Sequence, residues 1–178
     1  MAELKDSGNR REFETGAVRD MAENKGRCDL LPLDIVGEFF NGEFPIFYDI
    51  YEFQETGHIA CLYSAINYFS NMFVSDNSNN KSVVESNEYH SIYDEKYWTM
   101  FLEIAKHFED GAKKYGDDNW KKGIPVKFYI DSGVRHYLKY MRGDRDEPHD
   151  RAFVWNMLCA IWTCKHHPEL NDYAKKEN

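Results

Sequence analysis

The stretch LEIAKHFEDGAKKYGDDNW, residues 102–120, decides how this chain reads. Trp98, Phe101, Leu102, Ala105, Phe108, Ala112 and Tyr115 recur at intervals of three and four. That spacing predicts an amphipathic helix from about Lys96 to Tyr115 with those side chains on one face. At about 100° per residue, Glu109 projects from the middle of the apolar face. An ionised carboxylate there is costly unless a charge or a metal compensates it. Two readings stand: a carboxylate that meets a cation between helices, or a partly exposed helix edge paired to a lysine.

C-terminal to this stretch, two glycines and Pro125 predict a turn, followed by a helix from about Pro125 to Met141. Val126, Ile130, Gly133, Val134, Tyr137 and Met141 form its stripe. Asp131 and Arg135 share another face at four-residue spacing, and His136 lies on the opposite shoulder. RGDRDEPH, residues 142–149, is a polar turn whose Pro148 opens a last helix to about Lys165. That helix is apolar nearly all round, so it is expected at the centre of the fold. One narrow stripe carries His149, Ala152, Phe153, Asn156, Ala160 and Thr163. It reads as a pocket wall or as a pair of hydrogen-bonded core residues.

N-terminal to the same stretch, residues 75–94 are rich in Ser and Asn and read as a surface loop. A helix is predicted from about Gly57 to Phe73, capped by Thr56, with Ile59, Leu62, Ile66, Phe69 and Phe73 as its stripe. The aromatic segment 43–55 has no clean assignment. Pro32 opens a helix that stops at Asn41-Gly42. Residues 14–32 read as a loop holding Arg19, Lys25 and Arg27, either an anion site or a solvated basic turn. Residues 1–12 read as disordered. The expectation is a single all-α domain over residues 1–178 with about five helices.

Composition limits the function classes. The 178 residues are 42% hydrophobic and 16% aromatic, enough for a folded core. Asp and Glu number 31 against 22 Lys and Arg, and the net charge of −9 argues against a general nucleic-acid binder. A local cationic cluster still suits a small phosphorylated ligand. No run of about 18 apolar residues exists to span a membrane, and the polar N-terminus carries no apolar segment of a signal peptide. The four cysteines, at 28, 61, 159 and 164, contain no CxxC pair and read as reduced thiols of a cytoplasmic protein. A zinc site from Cys159, Cys164, His166 and His167 lacks a second cysteine pair to support it.

Taken together, TGAVRD, NKGRCDLLP, HFEDGAKKYGDDNWKKG and IDSGVRHYLKYMRGDRDEPHDRAFVWN resemble the phage and prophage dATP/dGTP diphosphohydrolase family, itself related to MazG-like nucleotide pyrophosphohydrolases. The resemblance covers residues 13–41 and 98–165, with an insertion between the second and third helices. It implies a MazG-like all-α fold, a homo-oligomer, a divalent ion (Mg²⁺ or Mn²⁺), and cleavage of a deoxynucleoside triphosphate to monophosphate and pyrophosphate. It carries over onto Arg19, Lys25, Arg27, Asp29, Glu109, Lys113, Tyr115, Asn119, Trp120, Asp131, Arg135, His136, His149 and Asn156. One departure stands out. The ExxE and ExxD pairs that hold Mg²⁺ in MazG-like enzymes are missing from these helices, and matches at Glu52/Glu55 and Glu169/Asp172 lie outside the signature.

The expected roles follow from phosphoryl chemistry, which needs charge neutralisation, an oriented water and a stabilised leaving group. Glu109 and Asp131, with Asp146 or Asp150, are the candidate metal ligands, since a hard ion prefers oxygen. Glu109, Asp131, His136 and His149 form the candidate catalytic set. Lys25, Arg27, Lys113 and Arg135 are candidates for phosphate, and Arg19 and Tyr115 are substrate-binding candidates by the resemblance alone. Trp120 is a candidate to stack on a base while Asn119 or Asn156 reads its edge. A non-catalytic nucleotide-binding or assembly protein that lost its metal acids is the alternative.

Overall fold

A computed structural model describes residues 9–20, 28, 31, 33, 35, 44–72 and 95–174. Among them are five α-helices and one small hairpin. We label the hairpin strands β1 (Arg10–Glu12) and β2 (Val18–Asp20), and the helices α1 (Pro45–Thr56), α2 (Ile59–Met72), α3 (Glu95–Tyr115), α4 (Val126–Arg142) and α5 (His149–His166). The all-α class is as the periodicity predicted, and α2 to α5 match their predicted ranges to within two residues at each end.

Two elements differ from expectation. The aromatic segment left unassigned forms α1, opened by Pro45 and closed by Gly57 in the left-handed region at φ 69°. Its buried residues are Ile46, Phe47, Ile50 and Phe53, one face of a helix. The tyrosines interleaved among them masked that period, and packing rather than propensity holds the segment helical. The second difference lies at residues 10–20, read as the end of a disordered tail and the start of a loop. Here β1 and β2 pair antiparallel, Arg11 opposite Arg19. The turn between them is closed by the Phe13 N–H donating to the Ala17 carbonyl (2.9 Å). The predicted helix from Pro32 lies outside the described residues apart from Leu33 and Ile35, as does the loop at 75–94.

Helix α5 is central. It packs on α4, α3 and α2, while α1 packs on α2. Phe69, Tyr137 and Phe153 meet at its waist, with ring centroids 4.9–6.1 Å apart, and Phe47 joins Tyr137 at 5.4 Å. The α4–α5 crossing is close because Gly133 carries no side chain. A Cβ there would lie 2.3 Å from Met157 Cε and 3.4 Å from Asn156 Cβ. This contact fixes Asn156 and, through it, one wall of the site.

The orientation of α3 is a correction. Met100, Ile104 and His107 face the core. Phe101 and Leu102, placed inside by the sequence reading, are 46% and 69% exposed. Helix α3 is therefore turned relative to the expected face. The same turn carries Glu109 outward, and its side chain is 63% exposed.

Candidate active-site cleft

A cleft of about 1460 Å³ opens between β2, the C-terminal half of α3, the 116–124 turn, α4 and the start of α5. The hairpin closes one side because Asn119 clamps it. The Asn119 Nδ2–H donates to the Val18 carbonyl (2.8 Å), and its Oδ1 accepts from the Val18 N–H (2.9 Å). Thr15 adds a hydroxyl donated to the Gly123 carbonyl. Asn119 is thus buried and engaged with backbone, holding the hairpin against the 116–124 turn.

Arg19 enters the cleft from β2. Its Nη2 donates to Asn156 Oδ1 (2.7 Å), and the Asn156 Nδ2 donates to the Ala152 carbonyl (2.7 Å). The guanidinium lies over Tyr129 and Trp155, 5.1 and 5.9 Å from their centroids. Its Nη1 is buried and makes no hydrogen bond among the described residues. Burial lowers the Arg19 pKa, and no carboxylate offsets that among the described residues. Asn156 therefore positions Arg19, and its amide is already satisfied.

Asp131 is buried, and both of its oxygens are engaged. One accepts the Cys28 N–H (2.6 Å), and the other pairs with Arg135. At its β2 end the cleft holds Asp20, Lys114 and Tyr115, with Lys114 Nζ 2.6 Å from Asp20 Oδ2. Burial alone would lower the Lys114 pKa, but Asp20 and Tyr115 outweigh it and raise it. Burial, then the Asp20 carboxylate, raises the Tyr115 pKa. Trp120 lines the cleft but packs against Phe108 and Trp162, at 5.2 and 5.0 Å between centroids.

A cluster of titratable side chains lies between α4 and α5. His136 Nδ1 and His149 Nδ1 are 3.0 Å apart, and His149 Nε2 is 2.8 Å from Asp146 Oδ1. Glu147 Oε1 lies 3.9 Å from the first Nδ1 and 3.7 Å from the second. Lys139 approaches Glu147 and Asp146 at 3.5 and 3.6 Å. Burial, followed by the charges of His149, His107, Arg19 and Lys139, holds the His136 pKa well below its ordinary value. For a neutral pair the tautomers follow from the partners. An ionised Asp146 only accepts, so His149 carries its proton on Nε2 and presents a lone pair at Nδ1. His136 then donates from Nδ1.

The four carboxylates expected to share a metal do not converge. Glu109 Oε1 sits 2.6 Å from Lys113 Nζ at the rim, and that hydrogen bond lowers its pKa. Asp131 is tied to Arg135, and Asp150 accepts the Arg151 N–H (2.8 Å). Only Asp146 of the four belongs to a group with metal-binding spacing among the described residues. Those groups are His136, Glu147 and His149, and Asp144, Asp146 and His149. Asp144 is already held by Arg142. The Cys159, Cys164, His166 and His167 set is in neither group. Lys113 points to solvent with Glu109 and Asp110. Lys25, Arg27 and Asp29 lie outside the described residues. Sequence reasoning missed Glu147, Lys139 and His107. The i+3 step from Lys139 to the cleft-facing His136 was the available sign for one of them.

The family model described as dATP/dGTP diphosphohydrolase, N-terminal, matches residues 77–173, more than half of the chain. The match takes in the whole cleft except the hairpin. No curated protein and no solved structure matches the chain. With the cleft and the matched span coinciding over α3, α4 and α5, the chain belongs to the dATP/dGTP diphosphohydrolase family.

Proposed function

We propose that the cleft hydrolyses purine deoxynucleoside triphosphates, dATP or dGTP, to the monophosphate and pyrophosphate with the help of a divalent ion. The observation that carries this reading is that cations and metal-type donors line one cavity together. Arg19, Arg135 and Lys139 supply positive charge, and His136, Glu147 and Asp146 supply donors on the same wall. A triphosphate needs both.

The donor set fits a divalent ion. His136, His149 and Glu147 offer one ligand atom each within 4.8 Å of one another. Bound there, the ion would neutralise phosphate charge and lower the pKa of a water. The chain itself does the rest. Arg19, with a buried Nη1 lacking a partner among the described residues, offers charge-assisted hydrogen bonds to phosphate oxygens. Arg135 is held in place by Asp131 and lines the cleft, adding positive charge to it. Phe108 and Trp120 form an apolar end suited to a stacked base. Asn119 and Asn156 act one step back, holding the hairpin and Arg19. We place the protein in the cytoplasm of a phage- or prophage-carrying host, as a homo-oligomer.

The binding-protein reading is favoured by one observation: Glu109 and Asp131, the acids expected to hold metal, are instead paired to Lys113 and Arg135. Incubating the protein with each dNTP and Mn²⁺ or Mg²⁺, and resolving products by chromatography, separates the two. The proposal expects dAMP or dGMP with pyrophosphate. Nucleotide binding without any product would establish the alternative.

A further inference from the structure

We infer that His136, His149 and Glu147 form a site for one divalent ion of the Mn²⁺, Co²⁺ or Zn²⁺ class in preference to Mg²⁺. The inference rests on the reading above for the ion's use in hydrolysis, though not for its binding. Two imidazole nitrogens and one carboxylate oxygen are a mixed donor set. Mg²⁺ asks for oxygens in a near-ideal octahedron, whereas imidazole favours the later divalent ions.

The spacing supports one shared ion. Ligand atoms about 2.1 Å from a common ion are about 3.0 Å apart at right angles and about 3.4 Å apart in a tetrahedron. The two Nδ1 atoms are already 3.0 Å apart. Glu147 Oε1, at 3.7 and 3.9 Å, needs only a small rotation to join them. The direct neighbours also suit a bound ion. Asp146 holds the Nε2 proton of His149 at 2.8 Å, which turns the Nδ1 lone pair toward the site. Metal-binding histidines are commonly oriented this way by a carboxylate on the far nitrogen. On ion binding, the proton between the two Nδ1 atoms moves to His136 Nε2, and His149 keeps its own. Lys139, now 3.5 Å from Glu147, is the cation that the incoming ion replaces.

His149 is buried at the back of the site, while His136 and Glu147 line the cleft. The ion would therefore be held from behind and open toward the substrate space. Asp146 is a positioning residue here.

The test is direct binding to the full chain. Calorimetry with MnCl₂ and MgCl₂ should give one Mn²⁺ per chain, bound at least about tenfold more tightly than Mg²⁺. CoCl₂ should produce visible absorption bands with nitrogen-ligand character. His136→Gln and Glu147→Gln should each weaken Mn²⁺ at least about tenfold and remove those bands, and Asp146→Asn should weaken Mn²⁺ about tenfold. Two cleft variants are used so that a folding failure in one leaves the other. Equal affinity for Mg²⁺ and Mn²⁺ would overturn the inference, as would unchanged Mn²⁺ binding in either folded variant. Loss of binding in Glu109→Gln with none in Glu147→Gln would overturn it too. If the ion binds as expected and no dNTP is cleaved, the site stands and the hydrolase reading falls. If dNTPs are cleaved while His136→Gln binds Mn²⁺ like the parent, the reading stands and the site falls.

Discussion

At the scale of single residues, charge and exposure decide which side chains matter. Glu109 is solvent-exposed and paired within its own helix, and such pairs contribute little in water. Glu109→Gln is expected to leave the melting temperature unchanged and dNTP turnover within about threefold of the parent, as surface substitutions usually do. A loss of about a hundredfold with the fold intact would return Glu109 to the metal site. His107 makes the opposite case. Burial first, then the charges of Arg151 and Arg19, holds its pKa at about 4 against 6.5 when unfolded. The folded state therefore resists protonation, so stability is intact above pH 6.5 and falls as pH drops toward 4. Urea unfolding should show about 2 kcal/mol lost from this residue between pH 7 and pH 5. His107→Gln should flatten the slope in part, since His136 shifts in the same direction. An unchanged slope would mean that the ring takes up its proton in the native protein as readily as in the unfolded chain.

At the scale of elements, the site depends on how the hairpin is held. Strand β2 has one long-range amide clamp, the pair of hydrogen bonds between Asn119 and Val18. Asn119→Ala leaves the Val18 N–H and carbonyl without these partners in a half-buried place. The expected cost is about 1–3 kcal/mol by denaturant unfolding. Because β2 carries Arg19, triphosphate affinity should fall by more than nucleoside affinity. Equal loss for both would show that Arg19 does not address phosphate. The helix pair α4 and α5 is held differently, by the close approach at Gly133, and the His136–His149 contact lies along the same crossing. Periodicity gave both helices. Their crossing was not legible, because the depth of an interface depends on the side chains of two segments at once.

At the scale of the whole molecule, the cleft lining is more apolar than polar and carries ionisable residues of both signs, within a chain of net charge −9. Arg19, Arg135 and Lys139 line the part where a phosphate is proposed to bind, and the net acidic charge of the chain disfavours adventitious polyanions. Helix α3 presents the consecutive residues Phe101 and Leu102 outward, an exposed apolar patch of two large side chains. A homo-oligomer that covers this face is expected. Light scattering should report at least twice the chain mass, and Leu102→Glu should shift it to the chain mass without loss of helix content. A monomer at working concentration in the parent protein would rule this out.

The sequence by itself determined the helical class, the central place of α5, and the segments that carry the chemistry. Each rests on local information: the 3.6-residue period, Pro at helix starts, Gly at helix ends, and polar residues on an otherwise apolar helix. His136, His149 and Asn156 were visible in that way, whereas Arg19 reads as a loop cation and enters the site through the family resemblance. Tertiary structure alone decided what these residues do to one another. Glu109 and the Phe101–Leu102 pair lie outside because α3 is rotated to bury Met100, Ile104 and His107, and two overlapping apolar stripes leave that choice to packing. Asp131 is closed off by Arg135 and the Cys28 amide, and the Cys28 contact spans 103 residues of sequence. Glu147 joins the two histidines only because the 143–148 turn folds back between α4 and α5. A hydrogen bond or a ligand sphere between distant segments has no period to read, since it exists only after the helices have crossed.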